Sequence, residues 1–74
     1  MNISKSDVGK KVKLKNGRIE TIFGVHPSGE VIVVTESHSI LRNSFRTYRS
    51  NGRYWLNDLL TSDGELDIAE ILDH

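Results

Sequence analysis

The sequence predicts a small, mainly β protein, built as one antiparallel barrel of five or six short strands. Its 74 residues fit a single domain, residues 1–74, and leave no room for a second. Asn-Gly pairs stand at positions 16–17 and 51–52, each between segments rich in strand-forming residues. The remaining short apolar stretches are separated by turn residues, a spacing typical of small all-β domains.

The strongest local pattern is the alternation of residues 11–15 and 18–23 around Asn16-Gly17. Asn and Gly tolerate the positive φ angles of a two-residue type I′ turn, so the pattern predicts a tight hairpin. A two-residue loop gives the following cross-strand pairs: Leu14 with Ile19 and Val12 with Thr21 on the inner face, and Lys13 with Glu20 on the outer face. Gly24 is expected to mark a bulge or bend in the second strand.

A third strand is predicted from Glu30 to Thr35, after a turn at residues 26–29. Its centre is apolar on both faces, and only one face can serve the core of so small a protein. The other face needs cover from the C-terminal segment, from a partner or from a second subunit. We expect self-association into a homodimer or larger assembly, through Val31, Ile32, Val33 and Val34.

A second hairpin is predicted over residues 45–56, closed by Asn51-Gly52, with Tyr48 opposite Trp55 and Arg49 opposite Tyr54. This register places aromatic rings beside arginines, a composition typical of binding hot spots. The predicted partner-binding residues are Arg46, Tyr48, Arg53 and Trp55. The alternative is that Tyr48 and Trp55 complete the core while the arginines extend over it.

Two segments have weaker patterns. Residues 36–43 are expected to be irregular, with Ile40 and Leu41 turned towards the core. Residues 62–72 fit either a capped helix or a closing strand. A strand is favoured, because a barrel needs its last edge covered.

Three stretches together resemble the small accessory proteins of tailed phages and prophages, many of which look like SH3-type barrels. They are residues 7–17 (DVGKKVKLKNG), residues 48–54 (YRSNGRY) and residues 67–71 (DIAEI). The resemblance implies an SH3-like barrel and a phage-encoded accessory protein that acts on a host or phage protein. It transfers no catalytic residue.

Charge divides the chain although the net charge is zero. Residues 1–57 carry ten basic and four acidic side chains, and residues 58–74 carry six acidic and no basic ones. We expect a noncatalytic protein-binding module. The alternative is a nucleic-acid-binding protein that uses the basic hairpin and the arginine-flanked aromatics, with Lys11, Lys13, Lys15, Arg18 and Arg49 as its binding residues. A further alternative is an oligomer that sequesters a small molecule between its subunits.

No catalytic, cofactor-binding or metal-binding residues are predicted, and no cofactor is expected. Cysteine is absent, and the three histidines do not have the spacing of metal ligands. The longest apolar run, residues 31–34, is far shorter than the ~20 residues of a membrane span. The expectation is a non-enzymatic cytoplasmic protein, in the host cytoplasm if it is phage-encoded, with no membrane partner.

Overall fold

The computed structural model describes residues 1–37, 44–56 and 64–72. A short 3₁₀ helix, Lys5–Asp7, precedes five antiparallel strands: β1 Lys11–Leu14, β2 Ile19–Val25, β3 Val31–Thr35, β4 Phe45–Arg49 and β5 Ile68–Leu72. They form one sheet in the order β4-β3-β2-β1-β5. The mainly β prediction is confirmed, with five strands, and the C-terminal segment forms a strand.

The sheet is not closed into a full barrel, because β4 and β5 lie at opposite edges of the strand order. Hydrogen bonds nevertheless connect these edges through the segments beside them. The Ile68 amide donates to the Gly52 carbonyl at 2.8 Å. The Tyr54 amide donates to Asp67 Oδ1 at 2.8 Å, and the Tyr48 hydroxyl donates to the Leu66 carbonyl at 2.6 Å. These hydrogen bonds therefore connect the two edges of the sheet, where a closed barrel would have a strand ladder.

The described part of the core contains eight buried apolar residues, most of them on the inner face of the sheet. They are Ile3, Val12, Leu14, Ile22, Ile32, Val34, Tyr48 and Ile68. Most come from alternate strand positions, as expected for a sheet with one buried face. Tyr48 is the largest of them, and its burial raises the pKa of its hydroxyl well above the ordinary value for tyrosine.

The first hairpin is shifted by one residue from its predicted register. Lys13 pairs with Ile19, and Val12 pairs with Glu20. The loop contains three residues, because the Leu14 amide donates to the Arg18 carbonyl and the Gly17 amide donates to the Leu14 carbonyl, both at 2.9 Å. Gly17 has a φ of 88°, as in a type I turn that ends in a left-handed glycine. The predicted two-residue loop is therefore wrong.

The second hairpin has the same shift for the same reason. Tyr48 pairs with Tyr54 rather than Trp55, and the Arg49 amide donates to the Arg53 carbonyl at 2.8 Å. Gly52 has a φ of 89°, nearly that of Gly17. In both loops the asparagine side chain accepts a hydrogen bond from the arginine amide two residues later, at 2.9 Å in the first loop and 3.0 Å in the second. This local bond stabilises a loop of three residues.

A shift of one residue exchanges the two faces of a strand. Glu20, predicted to lie on the outer face, is therefore buried, whereas Ile19 is 42% exposed. The Glu20 carboxylate accepts hydrogen bonds from the Thr35 hydroxyl at 3.1 Å and from the Ser37 amide at 3.1 and 3.2 Å. These bonds satisfy a carboxylate that would otherwise be costly to bury.

Two further expectations concern β2 and the segment after β3. The register between β2 and β3 shifts between Ile22 and Gly24, which confirms the predicted irregularity at Gly24. The expected core positions of Ile40 and Leu41 lie outside the described residues.

Candidate binding face

The outer face of strands β2 to β4 carries a surface that we call the aromatic face. It consists of Phe23, Val33, Phe45, Thr47, Arg49 and Trp55. The outward side of a one-sided antiparallel sheet is usually polar. Here the only ionisable side chain in the set is that of Arg49, so the aromatic face differs chemically from an ordinary solvated surface.

The strand register explains why these side chains share a face. In β4 the outward positions are Phe45, Thr47 and Arg49, which alternate with the inward Arg46 and Tyr48. Val33 of β3 is the cross-strand neighbour of Thr47. The four residue steps from Phe45 to Arg49 span about 13 Å, so the aromatic face is at least that long in the direction of β4.

The aromatic rings at one end of the face belong to Phe23 and Phe45. Their centroids are 4.7 Å apart, with an interplanar angle of 39°. Phe23 is 62% exposed and Phe45 is 43% exposed. The rings therefore shield each other only in part, and a substantial apolar area remains in contact with water.

The other end of the face is formed by Arg49 and Trp55. The Arg49 guanidinium carbon lies 4.7 Å from the centroid of the Trp55 ring, a cation–π arrangement. Trp55 is still 37% exposed. Stacking on the ring limits the freedom of the arginine side chain, so the guanidinium and the indole lie side by side at this end of the face.

A shallow groove of about 330 Å³ adjoins the phenylalanine end. Its lining combines the two rings with three hydroxyl side chains and one carboxylate: Phe23, Thr35, Glu36, Ser37, Ser44 and Phe45. Apolar walls with a few polar groups are typical of ligand-binding sites.

The predicted partner-binding residues are not brought together by the fold. Tyr48 is fully buried in the core, where a partner cannot touch it. Arg46 points inward, and its Nη2 lies 2.7 Å from Glu36 Oε1. Arg53 is half-buried, and Trp55 belongs to the aromatic face. The alternative that Tyr48 completes the core is the observed arrangement for that residue.

The predicted self-association residues are divided between the two faces of β3. Ile32 and Val34 are buried in the core of the chain itself. Val31 and Val33 are half-buried on the outward side, opposite Arg49 and Thr47. Any self-association through this strand is thus confined to its two outward valines.

The residues predicted for nucleic-acid binding lie mainly on the first hairpin. Lys11, Lys13, Lys15 and Arg18 are exposed there, and Lys15 Nζ lies 3.9 Å from Asp67 Oδ2. Arg49 is on the aromatic face, over Trp55. The structure therefore does not gather all five into one patch.

Phe23 and Phe45 are the site residues that the sequence interpretation missed. With a two-residue loop, Ile19, Thr21 and Phe23 are assigned to the inner face, which removes Phe23 from consideration. The sequence did contain a signal for the observed register. An X-Asn-Gly sequence also fits a three-residue loop with glycine in the left-handed position, and that loop places Phe23 on the outer face.

Neither a cluster of metal ligands nor a membrane-spanning helix is found in the described part of the chain. The histidine, aspartate and glutamate side chains there form no group of three or more that could hold a metal ion. No helix among residues 1–37, 44–56 and 64–72 is long and apolar enough to cross a bilayer.

Comparison with models of protein families, with curated proteins and with solved structures finds no match for the chain. The assignment of a site therefore depends on the geometry and chemistry of the chain's own residues.

Proposed function

We propose that this chain is a noncatalytic protein-binding module that docks a partner protein on the aromatic face. The observation that carries the proposal is the exposed Phe23–Phe45 pair, with the Arg49–Trp55 pair on the same face. Aromatic and arginine side chains supply a large share of binding energy at protein interfaces.

The architecture supports binding rather than a purely structural role for these rings. Neither ring is among the eight buried apolar side chains that form the described part of the core. Phe23 and Phe45 contact each other while 62% and 43% of their surfaces remain exposed. Exposed apolar surface favours aggregation, so its presence on a small domain is best explained by a partner that covers it.

The nature of the partner follows in part from the resemblance to tailed-phage accessory proteins. We propose a host or phage protein as the partner, and the cytoplasm of the host cell as the place of action. Self-association through Val31 and Val33 would use the same side of the sheet, so a homodimer would compete with the partner for this surface.

The experiment is affinity capture from lysates of infected and uninfected host cells, with three forms of the chain as bait. These are the wild type, the double variant Phe23→Ser with Phe45→Ser, and the control Val8→Ser. Val8 is 45% exposed and belongs to none of the strands. The control Val8→Ser therefore also removes an exposed apolar side chain, but one outside the aromatic face.

A protein captured by the wild type and by Val8→Ser, but lost with the double variant, is the expected result. Equal capture by all three baits would show that the aromatic face is not the binding surface. Light scattering of the wild type, run in parallel, would show whether the protein itself occupies the face as a homodimer.

A further inference from the structure

The part of the chain that the structure describes is more basic than the whole chain, whose net charge is zero. The described residues include seven acids and nine bases. Three of the acids, Asp7, Glu20 and Asp67, are buried. A fourth, Glu36, forms an ion pair with Arg46.

Each buried carboxylate has structural partners that hold it in place. Asp7 accepts a hydrogen bond from the Ser4 amide at 2.9 Å, and its Oδ1 lies 3.0 Å from Lys10 Nζ. Asp67 accepts one from the Tyr54 amide at 2.8 Å. These carboxylates stabilise loops and turns, and those of Asp7 and Asp67 lie 3.0 and 3.9 Å from a lysine ammonium, so each pair contributes little net charge to the surface.

Lys11 and Lys13, unlike these carboxylates, lie on the surface. Both are exposed on the outward side of β1, and neither forms an ion pair with any described residue. Glu70 of β5 is the cross-strand neighbour of Lys13, and Leu72 is the neighbour of Lys11. Among the described residues, the outward side of β1 therefore carries two lysines without an ion pair, with one carboxylate, that of Glu70, opposite Lys13.

These lysines lie on the same side of the sheet as the aromatic face, and a continuous row connects them to it. Lys11 pairs with Thr21 of β2. The Thr21 amide donates to the Thr35 hydroxyl at 3.0 Å, and Thr35 pairs with Phe45. Three strand spacings, about 14 Å, separate the two ends of the row, a distance that one segment of a partner can span.

We infer that the aromatic face, together with Lys11 and Lys13, docks an acidic segment of a partner protein that also carries aromatic or aliphatic side chains. This inference rests on the proposed function and adds the chemistry of the partner to it. The apolar side chains would cover Phe23 and Phe45, and the carboxylates would lie along β1. Complementary charge of this kind raises the association rate and sets the orientation of the partner.

Nucleic acid is the other polyanion that such a surface can attract, but the arrangement of the rings favours protein. One face of each phenylalanine ring is turned towards the other phenylalanine, and one face of the Trp55 ring is covered by Arg49. Base stacking needs open ring faces along a basic track. Here each ring already has one face in contact with another side chain, so the rings do not form an open stacking track.

The test uses fluorescence of Trp55, the only tryptophan of the chain, so the signal reports from the aromatic face. The full-length protein is titrated with four probes at low and moderate salt. They are a random copolymer of glutamate and tyrosine, polyglutamate, a random copolymer of lysine and tyrosine, and oligo(dT). The wild type is compared with Lys11→Glu plus Lys13→Glu, with Phe23→Ser plus Phe45→Ser, and with Lys5→Glu as a charge control.

The expected result is tightest binding of the glutamate–tyrosine copolymer, weakened about tenfold or more both by the lysine changes and by the phenylalanine changes, but not by Lys5→Glu. Equal binding of the acidic and basic copolymers, still dependent on Phe23 and Phe45, would overturn the acidic preference and leave the proposed function standing. Tighter binding of oligo(dT) would assign the surface to nucleic acid instead. No binding of any polymer would contradict the inference, while partner capture that depends on the two phenylalanines would still test the proposed function separately.

Discussion

Phe23 packs against Phe45 with a centroid separation of 4.7 Å, although both rings are exposed to solvent. The two residues come from β2 and β4, which are separated in the sheet by β3. The bulge between Ile22 and Gly24 lies at this point of β2, where bulges commonly redirect a side chain. The pair thus forms across a strand on the outward side, where it offers an apolar surface without strengthening the core.

The first prediction concerns the separation of this surface from the core. Phe23→Ala should cost less than about 1.5 kcal/mol of unfolding free energy, since it removes one partly exposed aromatic contact. Ile32→Ala should cost about 2 to 4 kcal/mol, because it leaves a cavity among fully buried side chains. Urea unfolding measures both. A larger loss for Phe23→Ala would mean that the ring belongs to the core.

The second prediction tests the register of the first hairpin. Glu20→Ala should destabilise the protein by about 1 to 3 kcal/mol, because the Thr35 hydroxyl and the Ser37 amide lose their acceptor. Ile19→Ala, next to it on the exposed side, should change stability by less than about 1 kcal/mol. The predicted two-residue loop requires the opposite order, so thermal unfolding of the two variants decides between the registers.

The third prediction compares the two equivalent glycines of the hairpin loops. Gly17→Ala and Gly52→Ala each force a side chain into a positive φ and should each cost about 1 to 3 kcal/mol. The cost should be greater at Gly52, where an added Cβ would lie 2.6 Å from Met1 Sδ and 3.4 Å from Ile68 Cβ. No atom lies within 4 Å of the corresponding position at Gly17. Equal losses would show that Met1 moves aside freely.

The fourth prediction is a pH dependence that arises from Asp7. The Ser4 amide, followed by Lys10, holds the pKa of the Asp7 carboxyl below its ordinary value of 3.8. The charged form therefore stabilises the folded state, fully above pH 3.8 and progressively less as the pH falls through the lowered pKa. Asp7→Asn lacks this contribution. The difference in unfolding free energy between wild type and Asp7→Asn should be constant near neutral pH and shrink in acid, and a difference that grows in acid would contradict this assignment.

The sequence was sufficient for the class of fold, because strand alternation and Asn-Gly turns are local signals. It did not determine the register, since Asn-Gly fits loops of two or three residues and the choice depends on tertiary contacts such as those of Glu20. The loop length also decides which side chains lie on the outer face, and so which residues can belong to the candidate site. Trp55 and Tyr48 were both predicted to bind a partner because they are aromatic residues close to arginines. Trp55 lies on the aromatic face, whereas Tyr48 is buried. Phe23 and Phe45 meet only when β2, β3 and β4 are assembled, so no local pattern indicates their contact.

The most direct test of the proposed binding face is photo-crosslinking in a lysate of the proposed host cell. Phe23 or Phe45 is replaced, one at a time, by p-benzoylphenylalanine, which keeps a phenyl ring at the site, and Val8 is replaced in the same way as the control. Each protein is irradiated, and its adducts are identified by mass spectrometry. We predict that the same partner protein is crosslinked from positions 23 and 45 and not from position 8. Crosslinks to that partner from position 8 alone, or no protein adduct from either phenylalanine position, would contradict a protein-binding role for the aromatic face.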